Sequence, residues 1–167
     1  FYESTILKKA SHITLSDNLY KDHLSYDYTT PVAQKLFLKN AYIDTMWSKI
    51  YASDVLQNKD YKYSDLGFFF VKNLIENISG TNLDAFLNSS FYSSLGLRKT
   101  MYNPIQKISL DEIVPSEIDN YWRNQTVHGT VHDMGAAMLG GVGGHAGLFS
   151  NSYEVAVIMQ MLLNGGN

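Results

Sequence analysis

Apolar positions fall in short runs, and their spacing changes along the chain. Over residues 65–78, Leu66, Phe69, Phe70, Leu74 and Ile78 recur at three- and four-residue steps, with Lys72, Asn73, Glu76 and Asn77 mostly outside the stripe. This spacing predicts the best-defined amphipathic helix of the chain. Ser64 or Asp65 can accept from the free amides of its first turn, and Gly80 suits its end. A second helix is predicted over 81–88, with Thr81 as cap, Asp84 three positions on, and Leu83, Phe86 and Leu87 apolar. Upstream, Pro31 fits a first helical turn, and Val32, Leu36 and Phe37 share a helical face. Ile43, Met46, Trp47 and Ile50 make another short amphipathic segment, for which a strand over 38–43 competes. A closing helix starts at Ser150 or Ser152. Its Val155, Ile158, Met159, Met161, Leu162 and Leu163 read as core, and Gly165-Gly166 ends it.

The remaining segments carry weaker patterns. Residues 1–10 read as a short helix or an arm, and residues 11–30 as irregular with one short strand near 13–15. Residues 105–130 read as loop with a short strand near 125–127, and residues 131–139 carry a weak helical period. Five glycines lie in the eight residues from Gly140 to Gly147. The expected picture is mainly α, with long ordered loops.

Composition narrows the function classes. At 167 residues the chain is the size of one ordinary domain, and 45% hydrophobic against 17% charged residues describes a globular chain. A net charge of −3 and no basic tract argue against a nucleic-acid partner. With no cysteine, disulfides, thiolate metal sites and thiol catalysis are excluded. No run of about 20 apolar residues suggests membrane contact in this segment. Twelve Tyr and eight Phe favour a packed aromatic core or a partner-facing surface. Phe1 begins in running sequence and Asn167 follows a helix end, so the chain reads as a piece of something larger.

Candidate chemistry is sparse. Tyr63 lies just before the predicted helix over 65–78, a suitable place to aim a hydroxyl into a cleft. A phenol becomes a useful base only beside cations or a lysine. Taken alone, it reads first as a half-buried aromatic staple. Asp65 fits a helix cap and also a group that orients a neighbour or accepts from a substrate amide. Ser64 has no base beside it and no Gly-x-Ser-x-Gly elbow, so it is not read as a nucleophile. His128, His132 and Asp133 form an HxxxHD cluster whose metal-ligating reading is weakened by Gly129 and Thr130 between the histidines. Structural hydrogen bonding is the stronger reading. The glycine run lacks the residues of a phosphate loop. It reads first as a packing turn and second as a site wall, and His145 within it first as a ring that pins the turn and second as a residue lining a pocket.

Three segments, taken together, carry a family resemblance. VHDMGAAMLGGVGGHAGLFSNSYEVAVIMQMLLNGG, residues 131–166, resembles the penicillin-recognising serine hydrolases: class C β-lactamases, D,D-peptidases and related esterases. YKYSDLGFFFVKNLIENISG, residues 61–80, and LDAFLNSSFYSSLGLRKTMYNP, residues 83–104, match in family order. The likeness is greatest to β-lactamase-related domains of Bacteroidetes-type bacteria, often fused to a β-N-acetylglucosaminidase. It implies an ester or amide substrate, cell-wall peptide included, cleaved through an acyl-serine, with no cofactor. It also implies export from the cytoplasm.

The resemblance assigns Tyr63 to the family's Tyr-x-Asn tyrosine, as a proton relay. Asp65 stands at the usual asparagine, where a carboxylate cannot donate as an amide does. The family's Ser-x-x-Lys is absent, Thr5 with Lys8 being the nearest spacing, and no Lys-Thr-Gly or His-Thr-Gly occurs. Arg98-Lys99-Thr100-Met101 lacks the glycine. The chain is therefore expected to be the helical subdomain of the β-lactamase/transpeptidase-like α+β fold, with few or no strands of the central sheet. It divides into a variable segment (1–59), a motif-bearing helical unit (60–104), and a long loop, glycine turn and closing helix (105–167). Its expected partner is the remainder of the catalytic domain, and alone it should be inactive. Two alternatives stand beside this: a non-catalytic glycan- or protein-binding module of the same fold, and a metal hydrolase built on His128, His132 and Asp133.

Overall fold

The computed structural model describes residues 6–9, 12–55, 57–58 and 60–166, with side chains from Leu15 onward. Thr5 and part of the 1–10 segment lie outside the described residues, as does the side chain of Lys8.

The mainly helical expectation is overturned. A hairpin opens the chain, β1 (Ile6–Lys9) against β2 (His12–Leu15), and three further antiparallel sheets hold seven strands. The central one orders β3 (Tyr20–Lys21), β5 (Leu36–Leu38) and β4 (Thr30–Ala33) as β3-β5-β4. β6 (Met101–Tyr102) pairs β9 (Leu148–Phe149), and β7 (Glu117–Asp119) pairs β8 (Gln125–Val127). Five α-helices accompany them: α1 (Tyr42–Tyr51), α2 (Leu66–Ser79), α3 (Leu83–Leu87), α4 (Met134–Met138) and α5 (Ser152–Leu163). Each of these strands has two to four residues, too few to display a two-residue alternation that sequence can reveal.

Residues 30–38 show how the period misled. Val32 and Leu36 stand four apart, as on a helix, yet both are buried because the chain reverses between them. Gln34 and Lys35 form the two-residue turn, with Lys35 at φ 50°, the left-handed conformation that such hairpin turns use. The helix then begins later, at Tyr42, which settles the competition over 38–43 as strand first and helix after.

Helix ends also differ from expectation. Thr81 does not cap α3; Asn82 holds the cap position without a side-chain bond, and Glu76 of α2 accepts from the Leu83 amide at 2.9 Å. α5 is capped by Asn151, between the two expected serines, whose side chain accepts from the Glu154 amide. Gly80 ends α2 in the left-handed conformation (φ 68°), as its position promised.

The core lies between the central sheet, α1 and α4. Leu38, Met46, Trp122, Ala136 and Met138 have no exposed surface, and Val32, Tyr42, Ile50 and Phe69 join them. The Trp122 indole donates to the Tyr20 hydroxyl at 3.2 Å. Beside it, the wholly buried Arg123 bonds Asp119 (2.6 Å), Glu117 (2.8 Å) and the backbone carbonyls of Val131 and His132. Burial opposes the Asp119 charge, but the Trp122 and Tyr121 amides and Arg123 outweigh it and hold its carboxyl below the ordinary range.

α5 does not form core. Met159, Leu162 and Leu163 are exposed, and the residue of α5 that is buried is Glu154. Its carboxylate accepts from the Arg98 and Lys99 amides and from the Thr100 hydroxyl at 2.6 Å. Among the described residues, no helix is long and apolar enough to cross a membrane.

Candidate active site

Lys62-Tyr63-Ser64-Asp65 runs into α2 as one continuous approach. Ser64 turns its hydroxyl to the Leu66 amide at 3.2 Å. Asp65 holds the cap position but makes no side-chain cap bond. Its carboxylate instead accepts from the Tyr63 hydroxyl at 2.8 Å. Tyr63 is 72% exposed, so the pair sits at a rim. The Asp65 hydrogen bond, then its charge, raises the Tyr63 pKa above the usual phenol value. As it stands, Tyr63 keeps its proton and donates it.

Two further groups face this pair. Asp133 caps α4 by accepting from the Ala136 amide at 2.7 Å, and its same oxygen accepts from His145 Nε2 at 2.8 Å. His145 stacks on Phe69 of α2, centroids 4.7 Å apart and planes 16° from parallel. Ligand atoms of Asp65, Asp133 and His145 all lie within 4.8 Å of one another. They border a cleft of about 420 Å³ whose walls include Leu66, Phe69, Glu117 and His132.

The glycine run makes this approach possible. A Cβ on Gly144 would stand 2.2 Å from the Phe68 carbonyl oxygen, so the loop rests directly on the backbone of α2. Gly147, at φ 112°, would bring a Cβ to 2.2 Å from the Gly141 carbonyl oxygen. The run is thus a packing turn, and it delivers His145 to the cleft wall as well.

The structure therefore brings Tyr63, Asp65 and Asp133 together, with His132 on the wall. It does not bring His128 there: that ring bonds the Ile113 carbonyl oxygen instead. The sequence pattern favours a loop-pinning role for His145 over the pocket-lining role it also allows, because its spacing of 12 positions from Asp133 carries no periodic signal. Phe69 shows only as one position of the α2 stripe, and Arg123, which fixes the His132 carbonyl next to Asp133, carries no signal in the sequence.

Relatives of one name match. A protein of Salmonella agona named putative D-alanyl-D-alanine carboxypeptidase is 33% identical over 147 residues, covering 81% of this chain and 34% of its own length. One of the same name from Escherichia coli K12 is 38% identical over 116 residues, covering 62% of this chain and 27% of its own length. These matches tie the chain to the serine-hydrolase superfamily of penicillin-binding proteins and β-lactamases. The chain spans about a third or less of the length of the relatives it matches. No family model and no solved structure matches it. Within this chain, no serine is followed three residues later by a lysine.

Proposed function

We propose that this chain is part of a serine hydrolase that cleaves an ester or amide through an acyl-serine, with Tyr63 as a proton relay and Asp65 as the group that aims it. The observation that carries this reading is the Tyr63–Asp65 hydrogen bond at the mouth of the cleft. Asp65 forgoes its helix cap and turns to the phenol, which favours a role in the cleft over a role in the helix. The raised phenol pKa fits a donor. To act as a base, Tyr63 needs a cation close by, and the lysine of a Ser-x-x-Lys pair supplied by the rest of the catalytic domain would meet that need.

The substrate class is a small ester or amide, cell-wall-derived peptide included, and the working place is outside the cytoplasm. The partner is the remainder of the catalytic domain, which would cover the exposed apolar residues of α2 and α5. The isolated chain has no covalent route of its own. Labelling with a fluorescent fluorophosphonate tests this. The whole protein should label and the isolated chain should not, and Tyr63→Phe in the whole protein should slow labelling about 10²- to 10⁴-fold. A stoichiometric adduct on the isolated chain would overturn the reading. One observation favours a second reading, a non-catalytic binding module: the carboxylate of Asp65 stands where an amide would donate. A whole protein that never labels would support it.

A further inference from the structure

Resting on the acyl-serine reading, we infer that the cleft beside Tyr63 receives an uncharged apolar substituent next to the scissile bond of the substrate, and that Gly135 is the residue that admits it.

Gly135 is part of the cleft lining, in the first turn of α4. Its φ is not positive, so the backbone does not require glycine there. At such a position alanine has the advantage in backbone entropy. What glycine leaves is space. A Cβ would stand 3.2 Å from Phe69 Cζ, 3.3 Å from Asp133 Oδ1 and 3.6 Å from His145 Nε2. The first two distances are tighter than ordinary van der Waals contact, so a side chain here would crowd the place where Phe69, Asp133 and His145 meet.

Volume, walls and charge then define what can enter. The cleft holds about 420 Å³. An apolar cavity of about 150 Å³ is enough for benzene. A phenyl-sized group therefore fits, with room left for the bond to be cleaved. Leu66, Phe69 and Met134 supply apolar walls. Asp65, Glu117 and Asp133 border the cleft, and among the described residues no lysine or arginine lines it. Arg123 pairs with Glu117 but leaves Asp65 and Asp133 without a neutralising Lys or Arg. An anionic substituent would be repelled by both, and a neutral one meets no such penalty.

Position ties this space to the reaction. An oxygen of Asp133 and one of Asp65 lie within 4.8 Å of each other. Asp65 in turn holds the Tyr63 hydroxyl at 2.8 Å. A group resting on Gly135 thus lies beside the carboxylates that border the phenol.

Ester hydrolysis by the whole protein tests this in two series. One varies the acyl group, as p-nitrophenyl acetate, phenylacetate and hemisuccinate. The other varies the alcohol, as ethyl, benzyl and 2-carboxyethyl acetate. In one series the phenyl-bearing ester should exceed the small neutral ester at least about tenfold in kcat/KM, with the anionic ester below both. Gly135→Ala should cut that preference about tenfold. The ratio between two substrates is the quantity to read, because a general structural defect lowers both alike. Met134→Ala removes atoms from the wall and adds no crowding, so it serves where Gly135→Ala fails to fold. It should shift the preference toward a bulkier diphenylmethyl group. Circular dichroism confirms that each variant is folded. No preference for the phenyl-bearing ester in either series overturns the inference, as does a preference for the anionic ester or one that neither folded variant alters. Fluorophosphonate labelling separates the two levels. A protein that labels without this preference keeps the acyl-serine reading and loses the substituent, and one that neither labels nor hydrolyses any ester loses both.

Discussion

α1 and α2 both carry an apolar stripe, and the chain uses them in opposite ways. In α1 the stripe points inward: Met46 is fully buried and Ile50 nearly so. In α2 much of it points outward, with Leu74 57% and Ile78 78% exposed, while the polar Lys72 and Glu76 are partly covered. Glu76 is drawn in because it serves Lys72 and the Leu83 amide at once. Phe69 alone is buried from α2, clasped between Trp47 and His145. A period of 3.6 residues thus identifies an apolar face without saying what that face meets. The region around α1 satisfies itself. The region around α2 and α5 presents surface suited to a further partner.

The sharpest way to break the self-satisfied region is Arg123→Ala. It leaves the Asp119 carboxylate buried without its cation, and should cost about 3–5 kcal/mol in denaturant unfolding. Surface-level losses there would mean that this region is not self-sufficient. Gly144→Ala should come next. It lifts the glycine loop from α2 and should cost about 1–3 kcal/mol in thermal unfolding, as overpacked sites do.

Glu154→Gln probes the joint between α5 and residues 98–100, and should cost about 1–3 kcal/mol. Burial opposes the Glu154 charge, but Thr100 and the Arg98 and Lys99 amides prevail and lower its pKa in the folded chain. Its contribution is therefore present above the unfolded glutamate value of about 4.3 and is lost as pH falls through the lower folded value. A pH series of unfolding midpoints should show a shallower acid loss in Glu154→Gln than in the unaltered chain. The smallest effect on stability belongs to Leu74→Ser combined with Ile78→Ser. Each should stay within about 0.5 kcal/mol, while binding of a hydrophobic dye falls. A large loss of stability would show that the outward stripe is already satisfied within this chain.

What sequence could reveal follows from the range over which each signal acts. α2 and its glycine stop are local patterns and were legible, as was the short strand near 125–127. Tyr63 and Asp65 were legible as neighbours, because only Ser64 separates them and a helix start fixes the approach. The β6–β9 pair joins two-residue strands from distant parts of the chain, and neither strand can show an alternation. The hairpin over 30–38 hid behind Val32 and Leu36, whose spacing serves a helix and a tight reversal equally well. Asp133 was legible as chemistry, yet its meeting with His145 depends on glycines letting a loop lie on the backbone of α2, a contact in which no side chain advertises itself.

Because its buried residue is a carboxylate, α5 is moored by hydrogen bonds more than by a greasy face. Such a helix can lift away while exposing little new apolar surface. Amide hydrogen exchange in α5 should therefore be fast relative to α1 and nearly insensitive to low denaturant, the mark of a small local opening that leaves the rest of the fold intact.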